Sequence, residues 1–222
     1  MTNGANPYSL LSRLPLFQGM SLSEFDSVIA HVRLGFSKAE EGESIAHAGQ
    51  KTGGLVFVLR GDILVETAAE DGGYKVVERV PAPCVLQPER LFGMTQRYSR
   101  NHYAAEDCSM MTIEKPEVLR IMSRSEVFRF NLLNLLCTQE QRSQNIPWQR
   151  MPKGIKEKIA FFIAARCLCT TGSKSLVVGM VRLAEEIGES RLNVSRALHA
   201  MQDEGLLKMS RERIDVFALE NL

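Results

Sequence analysis

Tryptophan occurs once, histidine four times and cysteine five times in the 222 residues, and each scarcity removes a class of chemistry. Cys84, Cys108, Cys137, Cys167 and Cys169 form an odd set without the paired spacing of a zinc site or a disulfide framework, so they read as small, mostly buried hydrophobes. Cys167 and Cys169 are one residue apart on an expected helix and point about 200° away from each other, which prevents a shared metal. His31, His47, His102 and His199 are scattered, whereas a barrel metalloenzyme needs two or three histidines and a carboxylate clustered by short spacing. No catalytic residue, no metal and no enzyme activity is expected. Long apolar runs are missing too. The longest, IAFFIAA from Ile159 to Ala165, is far short of the roughly 20 residues that span a bilayer. MTNGANPYSLL lacks the basic start and apolar core of a signal peptide, so a cytoplasmic protein without a membrane partner is expected. Net charge is also nearly absent, +1 from 27 basic and 26 acidic residues, and the small positive excess lies in residues 146–222.

What is present is organised around Met180 to Glu204, MVRLAEEIGESRLNVSRALHAMQDE. Val181, Ala184 and Ile187 recur at a three-residue spacing, Gly188 breaks the run, and Val194, Ala197, Leu198 and Met201 resume it, as in two helices joined by a sharp turn. A small Ala184 and a glycine at 188 are what a helix-turn-helix needs. From Ser190 to Gln202 there is no acid, and Arg191, Arg196 and His199 fall on the polar side, a face suited to phosphates. LLKMSRERIDVFAL, from Leu206 to Leu219, places two short apolar runs around Ser210–Arg213, the pattern of a β-hairpin wing that carries Lys208, Arg211 and Arg213 to the DNA backbone.

Upstream, Leu10 to Phe17 reads as a short helix, and SLSEFDSVIAHV as a second one capped at Ser21 or Ser23, with Glu24 completing a capping box. Between His31 and about Glu114, short β-rich runs alternate with Gly, Pro and Asp turns: HVRLGF, SIAHAG, LVFVL, DILVETAA, YKVVERV, CVLQ, HYAAED and CSMMTIEK. That spacing suits an antiparallel barrel or sandwich, with Gly61-Asp62 as its clearest turn. Pro116 to Met122 reads as a short helix, and a longer one begins near Ser125. On it Phe128, Leu132, Leu135 and Gln139 form one ridge and Phe130, Leu133 and Cys137 a second, so one ridge can face the barrel while the other meets a partner. NIPWQRMPKG, residues 145–154, is the expected hinge. Ile155 to about Cys169 reads as a helix and Leu176 to Val178 as a short strand.

The order of parts resembles the CRP/FNR family of bacterial transcription regulators. The resemblance rests on LPLFQGMSLSEFDSV, EGESIAHAGQ, LVFVLRGDILV and LAEEIGESRLNVSRALHAMQDEGLL. It implies an α+β protein: an N-terminal antiparallel β-roll, jelly-roll and cyclic-nucleotide-binding-like, over residues 1–124; a long dimerisation helix over 125–145; and a C-terminal winged helix-turn-helix over 146–222. It further implies a homodimer on palindromic double-stranded DNA, contact with RNA polymerase, and a small-molecule effector that the sequence does not identify. The DNA-contacting set is Ser190, Arg191, Asn193, Ser195, Arg196 and His199 on the recognition helix, with Lys208, Arg211 and Arg213 on the wing. Leu192 stands where the catabolite activator has a glutamate after the first recognition arginine. The family's consensus operator is therefore not expected to apply.

The sensor half departs further. Cyclic-nucleotide-binding members use a Gly-Glu pair and an Arg-Ser or Arg-Thr pair; the nearest positions here are Pro88-Glu89 and Arg100-Asn101, and a shifted alignment puts Gln87 at the glutamate position. Thr138 and Gln139 match the pair that touches the base. The effector-pocket set is thus Glu89, Arg100, Asn101, Thr138 and Gln139, in a form expected not to bind cyclic AMP. A haem sensor would draw on His31, His47, His102 or Cys84, and an iron–sulfur sensor on cysteines, none of which precedes Cys84. No cofactor is expected.

Overall fold

The computed structural model describes residues 11–222, so Leu10 and the start of the expected first helix lie outside the described residues. From Leu11 that segment runs as successive turns, with the Leu14 N–H donating to the Leu11 carbonyl at 2.9 Å and Phe17 to Leu14 at 3.0 Å. By their contacts the described residues form two units, residues 11–63 with 80–145, and residues 64–79 with 146–222.

In the first unit, α1 (Leu22–His31) starts at a reciprocal cap: Ser21 N–H donates to Glu24 Oε2 at 2.9 Å and Glu24 N–H donates to Ser21 Oγ at 3.3 Å. The other Glu24 oxygen accepts from the Ser125 hydroxyl at 3.2 Å, which ties α1 to the start of the long helix. The run expected as a strand from His31 divides here. Val32 is 7% exposed in the core at the end of α1, and the strand begins only at β1 (Gly35–Ala39). The others are β2 (Ser44–Ala46), β3 (Gly54–Arg60), β6 (Cys84–Val85), β7 (Asn101–Ala104) and β8 (Cys108–Glu114), while β4 (Ile63–Ala68) and β5 (Tyr74–Val80) form a hairpin that, apart from its end residues, belongs to the second unit. β1, β8, β3 and β6 form one antiparallel sheet in that order, and β2 pairs with β7. Gly54 has to be glycine, because a Cβ there would collide with the Ile113 carbonyl of the neighbouring strand. Gly61 turns β3 into β4 at φ 83°.

α2 (Lys115–Arg124) carries Pro116 in its first turn, where no N–H is missed, and α3 (Glu126–Asn145) follows. Phe128 and Leu132 of α3 are buried with Phe17, Phe25 and Phe57; the Phe17 and Phe128 rings meet edge-on with centroids 5.1 Å apart. The second ridge stays outside this core, with Phe130 56% and Leu133 47% exposed and Cys137 exposed beyond them.

In the second unit, α4 (Ile155–Ala164) stops five residues short of the expected Cys169. The chain continues in turns that let Leu168 and Cys169 aim their N–H groups at the Glu78 carboxylate, at 2.7 and 3.1 Å. β9 (Lys174–Val178), α5 (Met180–Ile187), α6 (Arg191–Asp203), β10 (Leu207–Ser210) and β11 (Arg213–Val216) complete it. β10, β11 and β9 pair in that order, and β9 then pairs antiparallel with β5, Tyr74 opposite Val178 and Glu78 opposite Lys174. Val76 of the hairpin joins Phe162, Leu183, Val194, Leu198, Met201 and Ile214 in one core. Among the described residues no helix is long and apolar enough to cross a membrane.

Candidate functional site

The turn between α5 and α6 follows from two small residues. Gly188 adopts φ 65° at the end of α5, and the Glu189 N–H returns to the Ala184 carbonyl at 2.9 Å, a closure that a left-handed residue permits. Ala184 is buried beneath it. Ser190 caps α6 by accepting the Asn193 N–H at 3.2 Å, so its oxygen has a structural duty besides the expected DNA contact.

Turning about 100° per residue, α6 buries Val194, Leu198 and Met201 on one side. The opposite side presents Leu192, Arg196 and His199, with Arg191 and Ser195 at its margin and Asn193 at the other edge; all are exposed except the half-buried Ser195. Three of the acids near this face are paired, while Glu185 stays exposed at the groove. Lys158 holds Glu189 at 2.6 Å, Lys156 pairs with Glu204, and Arg166 and Arg182 hold Glu186 at 3.2 and 2.7 Å. Among the described residues neither Arg191 nor Arg196 makes an ion pair, so the face keeps positive charge next to an open groove of about 640 Å³ lined by Val181, Glu185, Gly188 and Arg191.

The wing forms where expected, β10 and β11 joined by Arg211-Glu212 with Glu212 at φ 57°. Its three basic residues are not equivalent. Arg213, though exposed, is held by its neighbours, Nε 2.7 Å from Asp215 Oδ1 and one guanidinium nitrogen 3.0 Å from the Ser175 hydroxyl. Burial raises the Asp215 carboxyl, but the Ser175 hydroxyl and Arg213 outweigh it and hold Asp215 below the usual carboxylate range. Lys208 lies opposite Asp215 in the strand register, and Arg211 is exposed at the tip.

The expected effector set is only partly gathered. Arg100 and Glu89 approach to 3.9 Å, and the Asn101 amide oxygen accepts the Ala48 N–H at 2.9 Å. Thr138 and Gln139 are exposed on α3. What fills this part of the roll is Gln87, 6% exposed, which the sequence offered only through a shifted alignment. Its backbone is left-handed, φ 36° and ψ 58°, costing roughly 1–2 kcal/mol for a residue with a Cβ. Its amide oxygen accepts the N–H groups of Ser99 and Arg100 at 3.0 and 3.3 Å, and its nitrogen donates to Ser99 Oγ at 2.7 Å and Glu89 Oε1 at 3.3 Å.

Close by, His102 is 2% exposed, its ring 5.8 Å from that of Tyr98. Burial first, and the Arg100 charge second, push its pKa down to about 4, against a hydrogen bond to the Arg100 backbone. His31 is bonded at Nδ1 to the Ser27 carbonyl at 2.8 Å, and His47 packs edge-on against Tyr103. Cys84 lies half-buried on β6. Among the described residues no three His, Cys, Asp or Glu side chains come together as metal ligands.

No model of a known protein family matches the sequence, and no curated protein does. Solved structures do. A protein from Eubacterium rectale assigned to the CRP/FNR family of transcriptional regulators is 19% identical over 95% of this chain and 98% of its own, with a TM-score of 0.54. The catabolite activator protein of Thermus thermophilus is 19% identical over 91% of this chain and 93% of its own, at 0.50. The sensor domain of the transcriptional regulator DNR from Pseudomonas aeruginosa is 16% identical, covering 66% of this chain and 95% of that domain, at 0.52. At these identities the likeness is one of fold: a cyclic-nucleotide-binding-like β-roll, a long helix and a winged helix-turn-helix in one chain.

Proposed function

We propose that this protein is a homodimeric, sequence-specific DNA-binding transcription regulator of the CRP/FNR type, with α6 as its recognition helix. The observation that carries the reading is the outer face of α6, where Arg191, Arg196 and His199 stand exposed while Lys156, Lys158, Arg166 and Arg182 pair with Glu204, Glu189 and Glu186. A helix of 13 residues behind a glycine turn, flanked by a basic wing, suits the major groove. Arg191 and Arg196 read guanine edges or hold phosphates, and Ser195 and the wing add phosphate contacts that fix register. Leu192, 59% exposed between them, has no group for a cytosine amine and packs against a thymine methyl instead, with Asn193 the partner for adenine.

The exposed ridge of Phe130, Leu133 and Cys137 pairs with its copy in a second chain. The two recognition helices then stand about one helical turn of DNA apart, on a palindromic site. Regulation passes through contact with RNA polymerase and a signal received by the β-roll, and the protein acts in the cytoplasm as a regulator without enzymatic activity.

Fragments selected by the purified protein from random duplex DNA test this. Enrichment of a palindrome whose binding weakens as salt rises, and loses its preference over random DNA in Arg191→Ala, is the expected outcome. Equal affinity of the wild type for selected and random DNA would overturn it.

A further inference from the structure

We propose that the β-roll contains an oxyanion-binding site, formed by the consecutive N–H groups of Ser99 and Arg100 with the Ser99 hydroxyl, and that Gln87 occupies it as a built-in ligand. In consequence the wild-type protein takes up no phosphate ester there.

Successive main-chain N–H groups converging on one oxygen are how proteins hold phosphate and carboxylate. Here that oxygen is the carboxamide oxygen of Gln87, 3.0 Å from the Ser99 nitrogen and 3.3 Å from that of Arg100. The Gln87 nitrogen completes the set through Ser99 Oγ and Glu89, so both ends of the amide are used. An incoming oxyanion would need the same two N–H groups and the same hydroxyl. The guanidinium of Arg100 provides the matching countercharge, and within the protein Glu89 meets it at 3.9 Å.

The backbone separates this arrangement from an ordinary buried glutamine. Residue 87 sits at φ 36°, a conformation that glycine adopts freely and glutamine rarely, so a glycine would satisfy the main chain here. The strained position is held by the bonds its side chain makes. Removing that side chain leaves two N–H donors aimed at one point, with the Ser99 hydroxyl beside it and the Arg100 guanidinium offsetting the Glu89 carboxylate, a site for a phosphate or carboxylate group. The inference concerns the β-roll alone and does not rest on the DNA-binding reading.

Calorimetric titration of the full chain with cyclic AMP and with inorganic phosphate tests it, in wild type, Arg100→Gln, Gln87→Gly and Gln87→Gly/Arg100→Gln. The expected result is no saturable heat with wild type, and phosphate binding to Gln87→Gly with a dissociation constant at least about tenfold lower than any seen for wild type or the double variant. Saturable binding of either probe to wild type that Arg100→Gln abolishes overturns the proposal, as does a folded Gln87→Gly that binds neither. Where Gln87→Gly fails to fold, amide exchange in the wild type decides. Slow exchange at Ser99 and Arg100 that phosphate leaves unchanged supports internal occupancy, and a phosphate-dependent change there overturns it.

Discussion

Lys174 Nζ lies 3.1 Å from Glu78 Oε1, and neither side chain is more than 1% exposed. Glu78 also accepts the N–H groups of Leu168 and Cys169, so three donors converge on one buried carboxylate. Lys174→Met leaves that carboxylate charged and buried without its cation, and is expected to destabilise the second unit by about 3–5 kcal/mol in urea unfolding followed by circular dichroism. Glu78→Leu combined with Lys174→Met should recover much of the loss. A Lys174→Met protein as stable as wild type would show that the pair contributes nothing.

His102 makes stability depend on pH. Its pKa in the fold is pushed down to about 4, below the ordinary 6.5, so between those values the unfolded chain binds a proton that the native chain does not. Stability is therefore full above pH 6.5 and declines as pH falls to 4, by roughly 3 kcal/mol in all. His102→Phe should flatten the part of the curve above pH 5, where few carboxylates titrate. An unchanged slope in chemical denaturation at pH 7, 6 and 5 would place the acid sensitivity elsewhere.

The wing offers a contrast between two arginines. Arg211 is exposed at the hairpin tip, whereas Arg213 is bound to Asp215 and Ser175. Arg211→Ala is expected to weaken binding to all duplex DNA alike and to lower the salt slope by about 1. Arg213→Ala should change the slope less and lower the melting temperature more. Fluorescence anisotropy at several salt concentrations, with thermal melts, distinguishes them.

Association through α3 rests on Phe130 and Leu133. Phe130→Ser with Leu133→Ser should leave the core around Phe128 and Leu132 intact, because only the exposed ridge is changed. Sedimentation is expected to shift from dimer to monomer, and affinity for a full palindrome to fall toward that for a half-site. A double variant that remains dimeric assigns the contact to another surface.

Features set by neighbours in sequence were legible before the structure. Ser21 with Glu24, the Gly61 turn and Gly188 each act within a few residues, and the wing shows as two apolar runs about a charged turn. Longer-range effects were not. HVRLGF has the alternation of a strand, yet Val32 is claimed by the core beneath α1, and pairing with β8 starts only at Gly35. Lys174 lies outside the strand expected from Leu176 to Val178, and nothing near it in sequence announces Glu78, 96 positions earlier, which the strand pairing sets opposite it. Gln87 was the hardest to see, since a left-handed backbone at a residue other than glycine leaves no mark in composition or periodicity. The exposed basic face of α6 was visible in full. What the sequence could not supply was the pairing of Glu186 with Arg166, Glu189 with Lys158 and Glu204 with Lys156, across 20, 31 and 48 positions, which bears on how much positive charge that face retains.

Because residues 64–79 belong with 146–222, the second unit is assembled from two stretches separated by 66 residues of other structure. A protease cutting near Trp148, which is 87% exposed, therefore severs the peptide without detaching the unit, which remains tethered through β5 until denaturant parts it. The same arrangement constrains protein engineering. A chimera joined at Asn145 would carry a lysine built to meet Glu78 into a host lacking that glutamate, so grafts should transplant the hairpin together with the carboxy-terminal segment.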